Sequence, residues 1–202
     1  AVTEGELPEL LDLIEAHVEK YKSQRDEIDL YREVADQILD TRVQERVLLQ
    51  IAKEAYALGD RDVARDYYRR VLDNTSDHLV ALEALEKIYA EGRELESLLE
   101  IYSRRASLAQ REDRRDDGQR RQYLILAADL CERELGRGDE AISLLEQVLQ
   151  IFPSDVESAT SLERLYKNSM RWADLADLLE RRLKYATADS EIVDLRYRLG
   201  VL

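Results

Sequence analysis

The side chains best suited to chemistry in this sequence are two histidines and a single cysteine. His17 and His78 lie far apart, and no cysteine, histidine or acidic pair accompanies either of them at metal-ligand spacing. Cys131 is the only cysteine, so no disulfide can form within the chain, and its setting in LAADLCERELG is typical of a buried, inert thiol. The sequence therefore predicts no catalytic site, no metal site and no cofactor.

Short motifs give the same result. The chain has no glycine-rich phosphate loop, no Gly-x-Ser-x-Gly elbow and no HExxH pair. Arg137-Gly138-Asp139 spells the tripeptide that integrins recognise, but glycine followed by aspartate also suits a tight turn between helices, as at Gly59-Asp60. The mixed run REDRRDDGQRR around Asp116-Asp117 is interpreted as a solvated connection between helical hairpins or a helix extension. A non-enzymatic protein is predicted.

Charge and composition limit the classes of partner. The 202 residues carry a net charge of −14, which disfavours direct binding to nucleic acid and to anionic membrane surfaces. The longest apolar run, YLILAA at 123–128, is far shorter than the ~20 residues that a membrane span needs. The compartment is not determined; a cytoplasmic one is favoured, although targeting signals can lie outside this stretch of sequence.

The elements that would position any site are helices. Only two prolines and seven glycines occur, and apolar residues recur with helical spacing through the whole chain. The periodicity predicts helices at roughly 7–22, 26–40, 43–58, 61–74, 77–91, 95–110, 119–136, 139–151, 155–168 and 172–187, with another beginning near 190. No alternating strand pattern competes with them.

An internal repeat organises these helices. A shift of 77 residues superposes Gly59 on Gly136, Ala64 on Ala141 and Tyr89 on Tyr166, and the register holds without adjustment through the following helices. Small residues such as Ala64 and Ala141 suit the point where two antiparallel helices cross. Trp172, the lone tryptophan, matches leucines in the other copies and is expected to be a packing residue.

The pattern G-x₄-A-x₃-[YL]-x₂-V-L-x₃-[PS] at 59–76 and 136–153 resembles the second half of the tetratricopeptide repeat, a helix–turn–helix unit of ~34 residues. The resemblance is good for 45–78 and 122–155 and weaker for 79–111 and 156–188. It implies an all-α fold, a right-handed superhelical α-solenoid of antiparallel hairpins. The expected division of this single solenoid fragment, 1–202, is divergent N-terminal helices at 1–44, two-hairpin units at 45–121 and 122–198, and a truncated start of a further unit at 199–202.

The resemblance also implies a binding surface. In this family the first helix of each hairpin lines a concave groove. At the positions of this sequence that match the groove positions, cations outnumber anions, whereas anions predominate in the whole chain. Leu49 and Glu83 stand where the carboxylate clamp of chaperone-binding members needs a lysine or arginine, so that ligand is not predicted. The residues proposed to contact a partner are Arg46, Leu49, Lys53, Tyr56, Lys87, Tyr123, Arg133, Arg164, Lys167 and Asn168.

The function expected from this surface is a protein–protein interaction scaffold, part of a longer protein, that holds a partner peptide or helix of acidic or mixed charge in the groove. Two alternatives stay open. One is a structural spacer or self-association segment, dimerising through exposed array ends, and the other is a scaffold of an RNA-processing assembly, which the half-a-TPR character of the divergent hairpins suggests.

Overall fold

The computed structural model describes residues 31–32, 35, 37–38, 40–111 and 115–202, which are helical and contain no strand. The predicted helix at 7–22 lies outside them, as does most of the one at 26–40, although Tyr31, Ala35 and Ile38 of the latter are buried, in agreement with its apolar pattern. The complete helices in the described part are α1 Thr41–Ala57, α2 Arg61–Asn74, α3 Leu79–Gly92, α4 Leu95–Leu108, α5 Asp117–Arg133, α6 Gly138–Ile151, α7 Val156–Asn168, α8 Trp172–Tyr185 and α9 Asp189–Gly200.

Glycines in the left-handed conformation connect the helices of two hairpins. Gly59 has φ of 82° between α1 and α2, and Gly136 has φ of 67° between α5 and α6. A side chain would be strained in this conformation, which explains why glycine recurs there. Gly138 is instead the first residue of α6, so the turn beside Arg137-Gly138-Asp139 depends on Gly136 and not on the Gly-Asp pair expected from the sequence.

Side-chain caps begin most of the helices that open a hairpin. The Asp40 carboxylate accepts from the backbone N–H of Val43 at 3.0 Å, Asp116 from Gln119 at 2.9 Å and Asp155 from Ser158 at 2.9 Å. His78 does the same with Nδ1, which accepts from Ala81 N–H at 3.3 Å. These bonds satisfy amide groups that have no partner within the helix, and they set where each helix starts.

The chain divides into two compact units, residues 1–93 (the N-terminal unit) and 94–202 (the C-terminal unit). In the N-terminal unit α1 and α2 are antiparallel, since Asn74 at the end of α2 donates to Gln44 at the start of α1 (3.2 Å). Fully buried Val47, Ile51 and Ala64 form the core of this hairpin.

In the C-terminal unit α5 packs against both α4 and α6. A buried cluster joins these three helices: Ala106 from α4, Tyr123 and Leu124 from α5, and Val148 from α6. Further along, the buried carboxylate of Glu163 in α7 is paired with Arg182 of α8 and with Arg198 of α9 (2.9 Å). This network ties the last three helices together, because a buried charge is tolerated only when it is paired.

The all-α class and the architecture of antiparallel hairpins are confirmed. The predicted division at 45–121 and 122–198 stays a prediction; the boundary between the compact units falls between α3 and α4. No described helix is long and apolar enough to cross a lipid bilayer.

Candidate partner-binding face

One face of α1 and the corresponding face of α3 are left open in the N-terminal unit. We call this surface the α1–α3 face; its members recur every three or four residues along each helix, as the outward side of an amphipathic helix does. Arg46, Lys53 and Lys87 are exposed, and Leu49 and Tyr56 are partly buried at its edge. All five were predicted as partner-contacting residues.

Contacts at both ends fix how α1 and α3 are aligned. At the start of the two helices, Nε2 of His78 lies 3.6 Å from Oε1 of Glu45, and the Thr75 hydroxyl donates to Oε2 of the same carboxylate. At their other end, the Tyr56 hydroxyl donates to Glu91 at 3.3 Å. The helices therefore run parallel, with matching levels along their length.

Arg61 completes the contact at the far end of the face. Its Nε lies 3.1 Å from Glu91 Oε2, its Nη1 donates to the Tyr56 carbonyl at 2.8 Å, and its guanidinium carbon lies 3.9 Å from the centre of the Tyr56 ring. The Tyr56 ring is thereby held in place. Sequence reasoning found Tyr56 but missed Arg61 and its link to Glu91, because such a link depends on how two helices are aligned.

Lys53 and Lys87 are the distinctive pair of this face. Lys53 lies between Glu45 and Tyr56 along α1, and Lys87 lies between His78 and Glu91 along α3, so the alignment places the two lysines at about the same level. Both are exposed, and neither forms an ion pair within the part of the chain that the structure describes. Two exposed cations at one level, without carboxylate partners, favour binding of a negatively charged group.

In the C-terminal unit, the equivalent helices α5 and α7 pair two of their arginines with carboxylates of the other helix. Arg121 pairs with Asp155 and with Glu157 (2.9 Å). Arg164 binds Glu132 through its two terminal nitrogens, Nη1 and Nη2, and the Nη2 contact measures 2.7 Å. The hydrogen bonds from Arg164 hold the pKa of Glu132 below its ordinary value.

Burial of Asp155 raises the pKa of its carboxyl group, but the hydrogen bonds from Arg121 and Ser158 have the larger combined effect and lower the pKa below its ordinary value. Both carboxylates are thus committed to internal partners.

Tyr123 requires a correction. Its side chain is only 7% exposed and lies in the core cluster, with its ring centre 6.1 Å from that of Tyr102 and 4.5 Å from the guanidinium carbon of Arg105. It cannot meet a partner, since α4 covers this face of α5. The run YLILAA carried the signal: a helix that is apolar on more than one side is covered on more than one side.

The remaining predicted contact residues are exposed: Arg133, Arg164, Lys167 and Asn168. Arg133 pairs with Asp129 at 3.5 Å and Arg164 with Glu132, whereas Lys167 forms no ion pair within the described residues. Trp172, expected to pack, is 50% exposed because it is the first residue of α8 and precedes the buried stripe that begins at Leu175.

Other chemistry-bearing residues have structural roles. Burial, reinforced by the negative charge of Glu140, raises the pKa of the Cys131 thiol to about 11, as expected for an inert thiol. Arg137 pairs with Glu96 of α4, which ties the RGD sequence into the packing of the C-terminal unit. The described residues contain no group of three or more histidine, cysteine or acidic side chains that could hold a metal ion.

Comparison with known proteins agrees with this architecture. The tetratricopeptide repeat family model matches residues 46–77, which cover most of α1, all of α2 and the following turn. No curated protein matches the chain.

Among solved structures, a tetratricopeptide repeat protein from Parabacteroides merdae is similar at 15% identity over 97% of this chain and 74% of that one, with a TM-score of 0.47. MamA from Desulfovibrio magneticus, from residue 41 to its end, is similar at 15% identity over 91% and 94% of the two chains, with a TM-score of 0.44. The family match is thus confined to one hairpin, and antiparallel helical hairpins continue through the rest of the described chain.

Proposed function

We propose that this chain is a non-catalytic protein-interaction scaffold, and that the α1–α3 face binds an extended peptide or a helix of a partner protein. The observation that carries the proposal is the exposed, unpaired Lys53 and Lys87 at one level of two parallel helices. The partner segment carries at least one aspartate or glutamate that lies between these lysines. Leu49 and Tyr56 offer apolar contact on either side of Lys53.

The charge distribution supports a protein partner over a nucleic acid. A phosphate backbone needs a long cationic footprint, whereas the chain as a whole carries a net charge of −14. A short acidic segment needs only the local cations of the α1–α3 face. The proposed binding uses no cofactor and no metal.

The test is a selection of random peptides on the purified chain. We expect enrichment of sequences with aspartate or glutamate beside apolar residues, and about tenfold or greater loss of their affinity when Lys53→Glu and Lys87→Glu are combined, since like charges then oppose the peptide. Lys184→Glu, a reversal of an exposed lysine on α8, serves as the matched control. Peptides that bind the double variant as tightly as wild type would disprove the assignment.

A second candidate function, self-association, is favoured by one helix. The exposed face of α9 carries Val193 (66% exposed) and Tyr197 (69%), and Val201 (66%) follows at the C-terminal end of the helix, four residues after Tyr197. Such an apolar stripe is typical of a helix that packs on another surface. Sedimentation of wild type and of Val193→Glu/Tyr197→Glu tests it: a dimer that persists in the variant removes α9 from the interface.

A further inference from the structure

A cleft in the C-terminal unit lies apart from the α1–α3 face and has no role in the proposed function. Helices α4, α5 and α6 enclose a volume of about 210 Å³. Its floor is apolar, formed by Ala106, Leu124 and Leu144, which belong to or pack against the buried core cluster of this unit. Its rim is polar: Ser103, Ser107, Gln110, Arg120 and Gln147.

Arg120 is the cation of this cleft. It is partly buried in the second turn of α5, and its guanidinium makes no ion pair within the described part of the chain. The acidic residues next to it in sequence are occupied, because Asp116 caps α5 and Asp117 binds Arg115 at 3.1 Å. An arginine that lines a cleft and has unused donors favours an anionic ligand.

Two further donors face the same space. The Ser103 hydroxyl and the Gln110 carboxamide also make no side-chain hydrogen bond among the described residues. Ser107 and Gln147, by contrast, already donate to backbone carbonyls of their own helices, at 2.9 and 3.4 Å. One cation and two neutral donors are sufficient for a single carboxylate, which has two acceptor oxygens.

We propose that this cleft binds a carboxylate carried on a short aliphatic chain. The carboxylate oxygens accept from Arg120, Ser103 and Gln110, and the aliphatic part lies on Ala106, Leu124 and Leu144. The volume is below the ~300–1,000 Å³ of sites for drug-sized ligands, which limits the ligand to a few carbon atoms. A free short-chain acid and a glutamate side chain of a partner protein share this chemistry.

The test is a titration of the ¹⁵N-labelled chain with hexanoate, 1-hexanol and inorganic phosphate, followed by NMR. We expect hexanoate to shift the signals of Arg120, Ser103 and Leu124, with a dissociation constant on the order of millimolar for so small a ligand. Hexanol lacks the charge and phosphate lacks the chain, so both are expected to bind more weakly. Equal binding of either one overturns the proposal, and so does a failure of both hexanoate and a blocked glutamate peptide to bind.

Variants separate the site from general surface charge. Arg120→Gln is expected to weaken hexanoate about 10- to 100-fold, the usual effect of losing a charge-assisted hydrogen bond. Arg196→Gln, which removes an exposed arginine of α9, is expected to change nothing. Ser103→Leu places a larger side chain at the rim of the cleft, at an exposed position of α4. It should abolish binding of hexanoate while Arg120 itself is unchanged. Unchanged binding in both cleft variants overturns the proposal.

The two sources of the carboxylate are distinguished by one more ligand. A blocked peptide, acetyl-Ala-Glu-Ala-amide, presents a glutamate side chain without a free terminus. Tighter binding of this peptide than of hexanoate supports a protein side chain as the ligand, and the reverse supports a free acid. Binding of neither contradicts the proposal.

Discussion

The α1–α3 face of the N-terminal unit and its counterpart on α5 and α7 differ at equivalent positions of one repeat. Where the first has Arg46 and Lys53, the second has Tyr123 and Leu130, which are 7% and 9% exposed. Lys87 has no ion pair in the described part of the chain, whereas Arg164 is bound to Glu132. The position of Glu132 is occupied by buried Ala55 in the first copy. The repeat thus preserves the hairpin, while the side chains on this face of its first helices diverge in both type and exposure.

Among the equivalent positions, substitutions at Arg46 and Tyr123 should differ most in their effect on the free energy of unfolding. Tyr123→Ala should lower the free energy of unfolding by about 3–5 kcal/mol, because it leaves a cavity in the α4–α5–α6 cluster. Arg46→Ala should change it by less than about 0.5 kcal/mol, as for most surface substitutions. Urea unfolding followed by circular dichroism measures both. Similar losses at the two positions would mean that α1 and α5 are equally covered.

The turns should behave alike in both units. Gly59→Ala and Gly136→Ala should each cost about 1–2 kcal/mol, since alanine resists the left-handed conformation. Gly138→Ala is the matched control: an added Cβ there meets nothing within 4 Å, and alanine favours a helix. A loss of stability at Gly138 as large as that at Gly136 would contradict the assignment of the turn.

A smaller difference is expected where one cation is paired and the other is not. Arg164→Met should cost about 1 kcal/mol, because it leaves the carboxylate of Glu132, whose side chain is only 16% exposed, without its partner. Lys87→Met, at the equivalent position of α3, should cost less than about 0.5 kcal/mol. Equal effects would show that the Arg164–Glu132 pair adds no stability.

The same pair gives a pH dependence of known sign. Because the folded-state pKa of Glu132 is lowered, its contribution is complete above the unfolded value of about 4.3 and is lost as the pH falls through the folded value. Wild type should therefore lose more stability than Glu132→Gln when the pH is lowered from 5 to 3. Parallel curves for the two proteins would contradict this.

The smallest effect on the free energy of unfolding should come from giving the N-terminal unit one residue of the C-terminal unit. Lys53→Leu installs the residue that α5 carries at the equivalent position, and on the exposed face of α1 it should alter the free energy of unfolding by less than about 0.5 kcal/mol. Binding of acidic peptides should nevertheless weaken, since the α1–α3 face then retains only one of its paired lysines. Unaltered binding would shift the proposed site away from Lys53.

The parts of the fold that could be predicted from the sequence are those that depend on residues close together in the chain. Helices α1 to α8 begin and end close to where periodicity placed them, and Gly59 and Gly136 take the left-handed conformation at the turns. Asp155 caps α7 directly before the first residue of that helix. These features depend on neighbours a few residues away, so they can be read from a linear pattern.

The candidate site was predictable only in part, for the same reason. Exposure of Lys53 and Lys87 follows from helical spacing, but the burial of Tyr123 depends on Tyr102 and Arg105 of another helix. The exposure of Trp172 differs from the expectation that it packs. That expectation rested on the leucines at equivalent positions, whereas Trp172 is half exposed because it is the first residue of α8.

The sequence by itself determined that this chain is an all-α array of antiparallel helical hairpins, because helix period, glycine turns and capping residues act locally. The tertiary structure alone decided which cations are free and which are neutralised. Lys87 and Arg164 occupy the same register position, but only Arg164 has a carboxylate partner, Glu132, whose equivalent in the first copy is the buried Ala55. The cleft at Arg120 has the same origin, since three helices must pack together before it exists.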